Sequence, residues 1–177
     1  FTVSVFDGNV YHDVAVYNDD NYTGWGFVQH ERLSIDVTQY ANPNMNVKFT
    51  YDDSTWALWA AVDDFEVSRN IMIEKFDDCV WPAGGQNNII SGDYGWFFGN
   101  DTIWTTTMNG SCMAYFNDDN LGENAAPSNI SLISPAFDAT QYGNIILETD
   151  IHFISYANVP LSVLVFDGET WLPVQVY

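Results

Sequence analysis

The sequence predicts an all-β protein folded as an antiparallel sandwich, on three observations. Apolar residues recur with a period of two along most of the chain. Asp-Gly, Asn-Pro and Asn/Asp clusters break that pattern at the intervals of a sandwich. No stretch carries the 3.6-residue period of an amphipathic helix. Aromatic residues at 16% favour strands, and 47% apolar residues suffice for a substantial core and exclude a disordered chain.

Taken in order, residues 1–17 read as a hairpin turning at Asp7-Gly8. Residues 18–26, NDDNYTGWG, are a polar loop. A strand covers 27–37, a turn follows near Pro43, and strands run over 47–51 and 56–67. In the first of these, Val47, Phe49 and Tyr51 share one side. Residues 68–75 read as a join, and Phe76 as a fresh start. Residues 79–111 lack clear periodicity and suggest long loops with short strands near 94–98 and 102–107. Further strands are expected at 112–117, 130–136, 145–155 and within 161–177, with an acidic loop at 117–124.

The two ends of the chain match each other. FTVSVFDGNVYHDVAVY (1–17) aligns without gaps on LSVLVFDGETWLPVQVY (161–177), with eight of seventeen positions identical at an offset of 160. Tandem modules of that period produce such an overlap. A shorter echo pairs IDVTQYAN (35–42) with FDATQYGN (137–144), five of eight identical, each ahead of an alternating strand. The expected organisation is therefore a window on an array: 1–67 as the closing part of one module, 68–75 as linker, 76–177 as the opening part of the next.

Charge excludes several partners. Twenty-four acidic residues against four basic ones give a net charge of −20, which repels nucleic acid and anionic membranes. No run approaches the roughly 18–20 apolar residues of a membrane span. Five Asp-Asp pairs (19–20, 52–53, 63–64, 77–78, 118–119) and two NDDN loops offer hard oxygen donors of the kind calcium prefers. Turn capping by the same residues, without metal, is the alternative. Cys79 and Cys112 either close a loop of 33 positions, the reading preferred here, or remain free thiols.

Catalytic signatures are missing: His12, His30 and His152 are scattered, and Ser111 sits in no nucleophile elbow. The chain is read as a non-enzyme. Trp25 and Trp81, beside Gly or Pro in loops, are candidates for stacking on sugar rings, with core packing as the alternative for each. Sequons at Asn21, Asn100, Asn109 and Asn129 fit an extracellular setting.

LSIDVTQYANPNMNVKFTYDD…WALWAAVDDFEV (33–67) resembles the closing strands of MAM-like jelly-roll modules, including the cleaved-adhesin and choice-of-anchor J modules of secreted Bacteroidota surface proteins. FDDCVWPAGG (76–85), CMAYFNDD (112–119) and NISLISPAFDATQYGNIILETDIHF (129–153) resemble the opening half of the same module. Gly85 departs from the family pattern, where W-P-x-G-W carries a second Trp. The resemblance implies an antiparallel, concanavalin-like jelly roll with structural Ca²⁺, and its matching ligand positions are Asp63, Asp64, Asp77, Asp78, Asn117 and Asp118. It also implies an adhesive or stalk module of a large secreted adhesin or surface filament. Its partners would be neighbouring modules or identical subunits, and surface glycans. A glycan-binding module attached to a secreted hydrolase or protease is the other reading.

Overall fold

The computed structural model describes residues 1–16, 27–52, 57–67, 71–100, 112–122, 126–155, 163–166 and 171–175. The described strands are β1 (Thr2–Phe6), β2 (Tyr11–Val16), β3 (Phe27–Asp36), β4 (Val47–Asp52), β5 (Ala57–Val67), β6 (Met72–Glu74) and β7 (Gln86–Ser91), followed by β8 (Phe97–Gly99), β9 (Met113–Asn117), β10 (Asn129–Ile133), β11 (Ile146–Ser155), β12 (Val163–Phe166) and β13 (Trp171–Gln175). Two antiparallel sheets pack face to face as a β-sandwich. One runs β2-β1-β4-β10-β7; the other runs β3-β11-β5-β9-β8, with β6 paired to β5. A separate hairpin joins β12 to β13.

The first turn forms as Asp-Gly dictates. Asp7 Oδ1 accepts from the Asn9 and Val10 amides, both at 2.9 Å, and Gly8 takes φ +101°, where an L side chain is strained. β1 then lies between β2 and β4 and is buried on both faces. Its Val3 and Val5 side enters the core together with Phe1, whose ring is stacked 6.2 Å from Phe49.

Alternation in β4 puts Val47, Phe49 and Tyr51 into the core, all fully buried. Phe49 faces Val3 of β1 on one side and Leu132 of β10 on the other. Strands of the first expected segment thus pair directly with strands of the second, and the other sheet repeats this: β11 lies between β3 and β5. The join at 68–75 consequently does not separate two cores. Residues 1–67 and 76–153 contribute to one buried cluster, because each segment lacks half the pairing partners its strands need. β6 completes a hairpin with β5 (Phe65 opposite Glu74) instead of opening a new sheet.

β5 changes phase midway. Val62 and Phe65 are both fully buried although three positions apart, and Asp63-Asp64 makes the correction. There the register with β11 slips between Glu148 and Asp150, and Asp64 adopts φ +46°. This is a β-bulge. Asp63 Oδ1 accepts from the Asp64 amide at 2.8 Å, and the Thr149 hydroxyl donates to the Asp63 carbonyl at 3.0 Å.

The internal echo has a structural counterpart. Asp36 and Asp138 each cap the amide two residues on (Thr38 and Thr140, both at 2.9 Å). Tyr40 and Tyr142 each donate to the carbonyl three residues back. The two turns meet where the Val37 amide donates to the Ile145 carbonyl at 2.8 Å.

Strand β7 has no counterpart in the sequence pattern. It is an edge strand whose six residues are all exposed, so no buried alternation marks it. The strand expected at 102–107 lies outside the described residues.

Candidate functional site

The bulge of β5 borders a cleft of about 320 Å³ lined by Arg32 of β3, Asp150 of β11, Asp64 and Glu66 of β5, with Ile73 and Lys75 from and just after β6. Arg32 Nη1 donates to the Asp64 carbonyl at 3.1 Å and lies 3.4 Å from Asp150 Oδ1. Two of the chain's four basic residues therefore stand among three carboxylates. These exposed and half-buried charges add little stability, because ion pairs open to solvent contribute little each.

The oxygen donors implied by the resemblance are not brought together. Asp63 is buried and Asp64 half-buried in the bulge, while Asp77 and Asp78 are exposed in the turn after Phe76. Asn117 is buried opposite Trp59, four positions along β5 from Asp63 and about 13 Å away at strand rise. Among the described residues, no three His, Cys, Asp or Glu side chains converge to hold a metal ion. Much of their capacity is engaged in turns: Asn117 Oδ1 accepts from the Asn120 amide at 3.3 Å, and Asp78 Oδ1 from the Val80 amide at 3.3 Å. The six positions are thus spread over the β5 bulge, the turn after Phe76 and the end of β9, where Asp118 follows Asn117. The first NDDN loop, residues 18–21, lies outside the described residues.

Cys79 and Cys112 are bridged, their Cα atoms 5.1 Å apart, tying the turn after β6 to the start of β9. Trp25 lies outside the described residues. Trp81 is half-buried: its indole N–H donates to the Ile133 carbonyl at 2.9 Å, and its ring stacks on Phe76 (5.6 Å) and Phe98 (6.3 Å). This packing leaves no room for a side chain at Gly85. A Cβ there would stand 2.1 Å from Trp81 Nε1 and 2.9 Å from the Ile133 carbonyl oxygen. Gly85→Ala is expected to cost about 1–3 kcal/mol by overpacking. Urea unfolding checks it; an unchanged midpoint would mean that the indole moves aside freely.

A cluster that sequence reasoning missed lies on the outer side of β1, β2 and β4. Ser4 stands opposite both Asp13 and Lys48, so the three form one row across the strands. The Ser4 hydroxyl donates to Asp13 Oδ1 at 2.6 Å, and Lys48 Nζ sits 4.2 Å over the Tyr11 ring. Tyr11 donates to the Asn46 side chain. The period-two pattern could have located the row, since Ser4, Asp13 and Lys48 fall on outward positions, but it could not show that the row is covered.

Burial pushes the Asp13 carboxyl up to about 7, against the pull of Ser4 and Lys48, and it pushes the Lys48 amine down to about 8. Nearby, Asp7 pairs with His12 at 2.6 Å; burial works to raise its pKa, but hydrogen bonds from Val10, His12 and Asn9 hold it below the usual carboxylate range. Tyr40, stacked on His12, is raised by burial and by the charges of Asp13 and Asp7.

These shifts make stability depend on pH. Between its ordinary 3.8 and about 7, Asp13 holds a proton in the folded protein that the unfolded chain has released. Its contribution is complete below 3.8 and is lost as pH rises through about 7. Asp13→Asn is expected to remove that part of the decline in Tm across this interval, as a pH series of melting curves would show. An identical slope in variant and parent would refute the assignment.

Comparison with family models, with curated proteins and with solved structures gives no match to this chain. Fold and surroundings define an acidic antiparallel β-sandwich carrying one disulfide and followed by a hairpin that repeats its own first hairpin.

Proposed function

We propose that the chain is a non-catalytic extracellular repeat module of a large secreted adhesin or surface filament, of jelly-roll order, stacked with copies of itself at a period of 160 residues. The observation that supports it is the equivalence of the two hairpins. β1–β2 pairs Phe6 with Tyr11 and Val5 with His12; β12–β13 pairs Phe166 with Trp171 and Val165 with Leu172. Each register slips once, between Val3 and Ser4 in one and between Val163 and Leu164 in the other, again 160 positions apart. The same β-structure thus begins again after a whole sandwich. The module boundary in this reading falls near residue 160 and no longer at 68–75.

A disulfide suits an oxidising compartment, and the strongly acidic surface keeps stacked modules soluble. Calcium remains part of the proposal on charge alone, since cations relieve the self-repulsion of a −20 chain. Excess chelator is then expected to lower the Tm of the calcium-loaded protein; superimposable melting curves would remove the metal from the proposal.

The role itself is tested with an antibody raised against the chain. On intact source cells it should label the outer surface, and on blots it should detect a band several times heavier than 20 kDa. Labelling confined to the cell interior, or a native band near that mass, would overturn the proposal.

A further inference from the structure

The outer side of β1 points away from the core, yet Thr2 and Ser4 are only 5% and 0% exposed, and their neighbour Asp13 only 7%. The second hairpin runs close by: β12 lies against β1 and β2, and β13 against β2. Among the described residues β12 pairs with no strand but β13, whereas its counterpart β1 also pairs with β4. The second hairpin therefore has the sequence and register of an opening hairpin without the sheet that such a hairpin joins.

An isolated two-stranded hairpin is marginal in water, so β12–β13 depends on the surface it rests upon. That surface is itself incomplete alone. Left open, it would present the row of Ser4, Asp13 and Lys48 to solvent, and burial beneath a cover is what drives the charges of Asp13 and Lys48 toward neutrality. Hairpin and surface each supply what the other lacks.

We propose that this contact is a module-to-module joint, in which the outer face of β1–β2 docks the opening hairpin of a following sandwich of the same fold. The inference rests on the tandem reading above and adds how successive modules touch. They meet through homologous hairpins laid one on the other, not through a free linker. The two hairpins differ at the row itself, Ser4 and Asp13 being matched by Leu164 and Pro173. The hairpin carrying Asp13 is thereby matched to the strand that carries Lys48, through Ser4 of β1.

The test uses the full 177-residue chain with Ser4→Cys, a near-isosteric change that introduces its sole free thiol, because Cys79 and Cys112 are bonded. A soluble thiol reagent should modify the introduced thiol slowly, by at least roughly tenfold relative to the unfolded protein, as expected for a covered site. Adding Val165→Asp, which lies in the second hairpin and leaves the sandwich strands untouched, should raise the rate toward the unfolded value while near-UV circular dichroism stays native. Rapid modification of that thiol with Val165 intact would overturn the joint, as would a slow rate unaffected by Val165→Asp. Either failure leaves the tandem reading standing, since modules on a flexible connection would still label as a heavy surface protein; that reading fails separately, in the antibody experiment.

Discussion

Phe49→Ala is expected to destabilise the protein by about 3–5 kcal/mol, the range for truncating a fully buried Phe. The ring sits at the centre of β4 with no exposed surface, stacked on Phe1 and edge-on to Phe65 at 5.5 Å. These neighbours come from β5 and from the residue just ahead of β1, and Leu132 of β10 lies alongside in the sheet. The cavity would thus open where the two halves of the chain meet, and no single element could collapse to fill it. Since domains are stable by only about 5–15 kcal/mol, a large share of the total is at stake. Urea titration followed by tryptophan fluorescence measures it. A loss under about 1 kcal/mol would contradict the packing described for β4.

Removing the disulfide should produce an effect of similar size. Cys79→Ala with Cys112→Ala frees a loop of 33 positions, and the chain-entropy estimate puts the loss at about 3–4 kcal/mol. The bridge ties the turn that exposes Asp77 and Asp78 to the start of β9. The expected result is a lower urea midpoint for the double variant, and for the parent protein under reductant. Equal midpoints in oxidised and reduced protein would show that the rest of the fold already fixes this loop.

Much of the sandwich is legible because core strands write their burial into the sequence. VKFTYD alternates cleanly, Asp7-Gly8 marks its turn, and the paired TQY turns follow from Asp36 and Asp138 capping the backbone. β7 is not legible, since an edge strand with every side chain exposed has no buried side to alternate with. The division at 68–75 is misplaced for a related reason. Polar residues after Val67 look like a linker, but whether the apolar faces on either side complete one another depends on pairings between residues some eighty positions apart, such as Tyr51 with Ile130.

The candidate site is less legible than the fold. Asp pairs suggest metal ligands, yet Asp63 serves a bulge and Asp7, Asp36, Asp78 and Asp138 cap backbone amides, which is chemistry that the same residue type performs without an ion. Trp81 looks available for a sugar ring and instead donates to Ile133 between two phenylalanines. The row of buried Ser4 and Asp13 and half-buried Lys48 escapes notice because alternation marks these positions as outward and cannot show that they are covered.

The pairing of Thr2 with Thr50 and of Ser155 with Ala57 puts the start of β1 and the finish of β11 at the same end of the sandwich, where β4 hands over to β5. In the proposed array, units entered and left from one side would advance by little more than a unit's width while storing roughly 500 Å of chain in each. Under tension it would behave as a shock absorber, giving up that length one unit at a time, with the Cys79–Cys112 bridge withholding the 33 positions it spans.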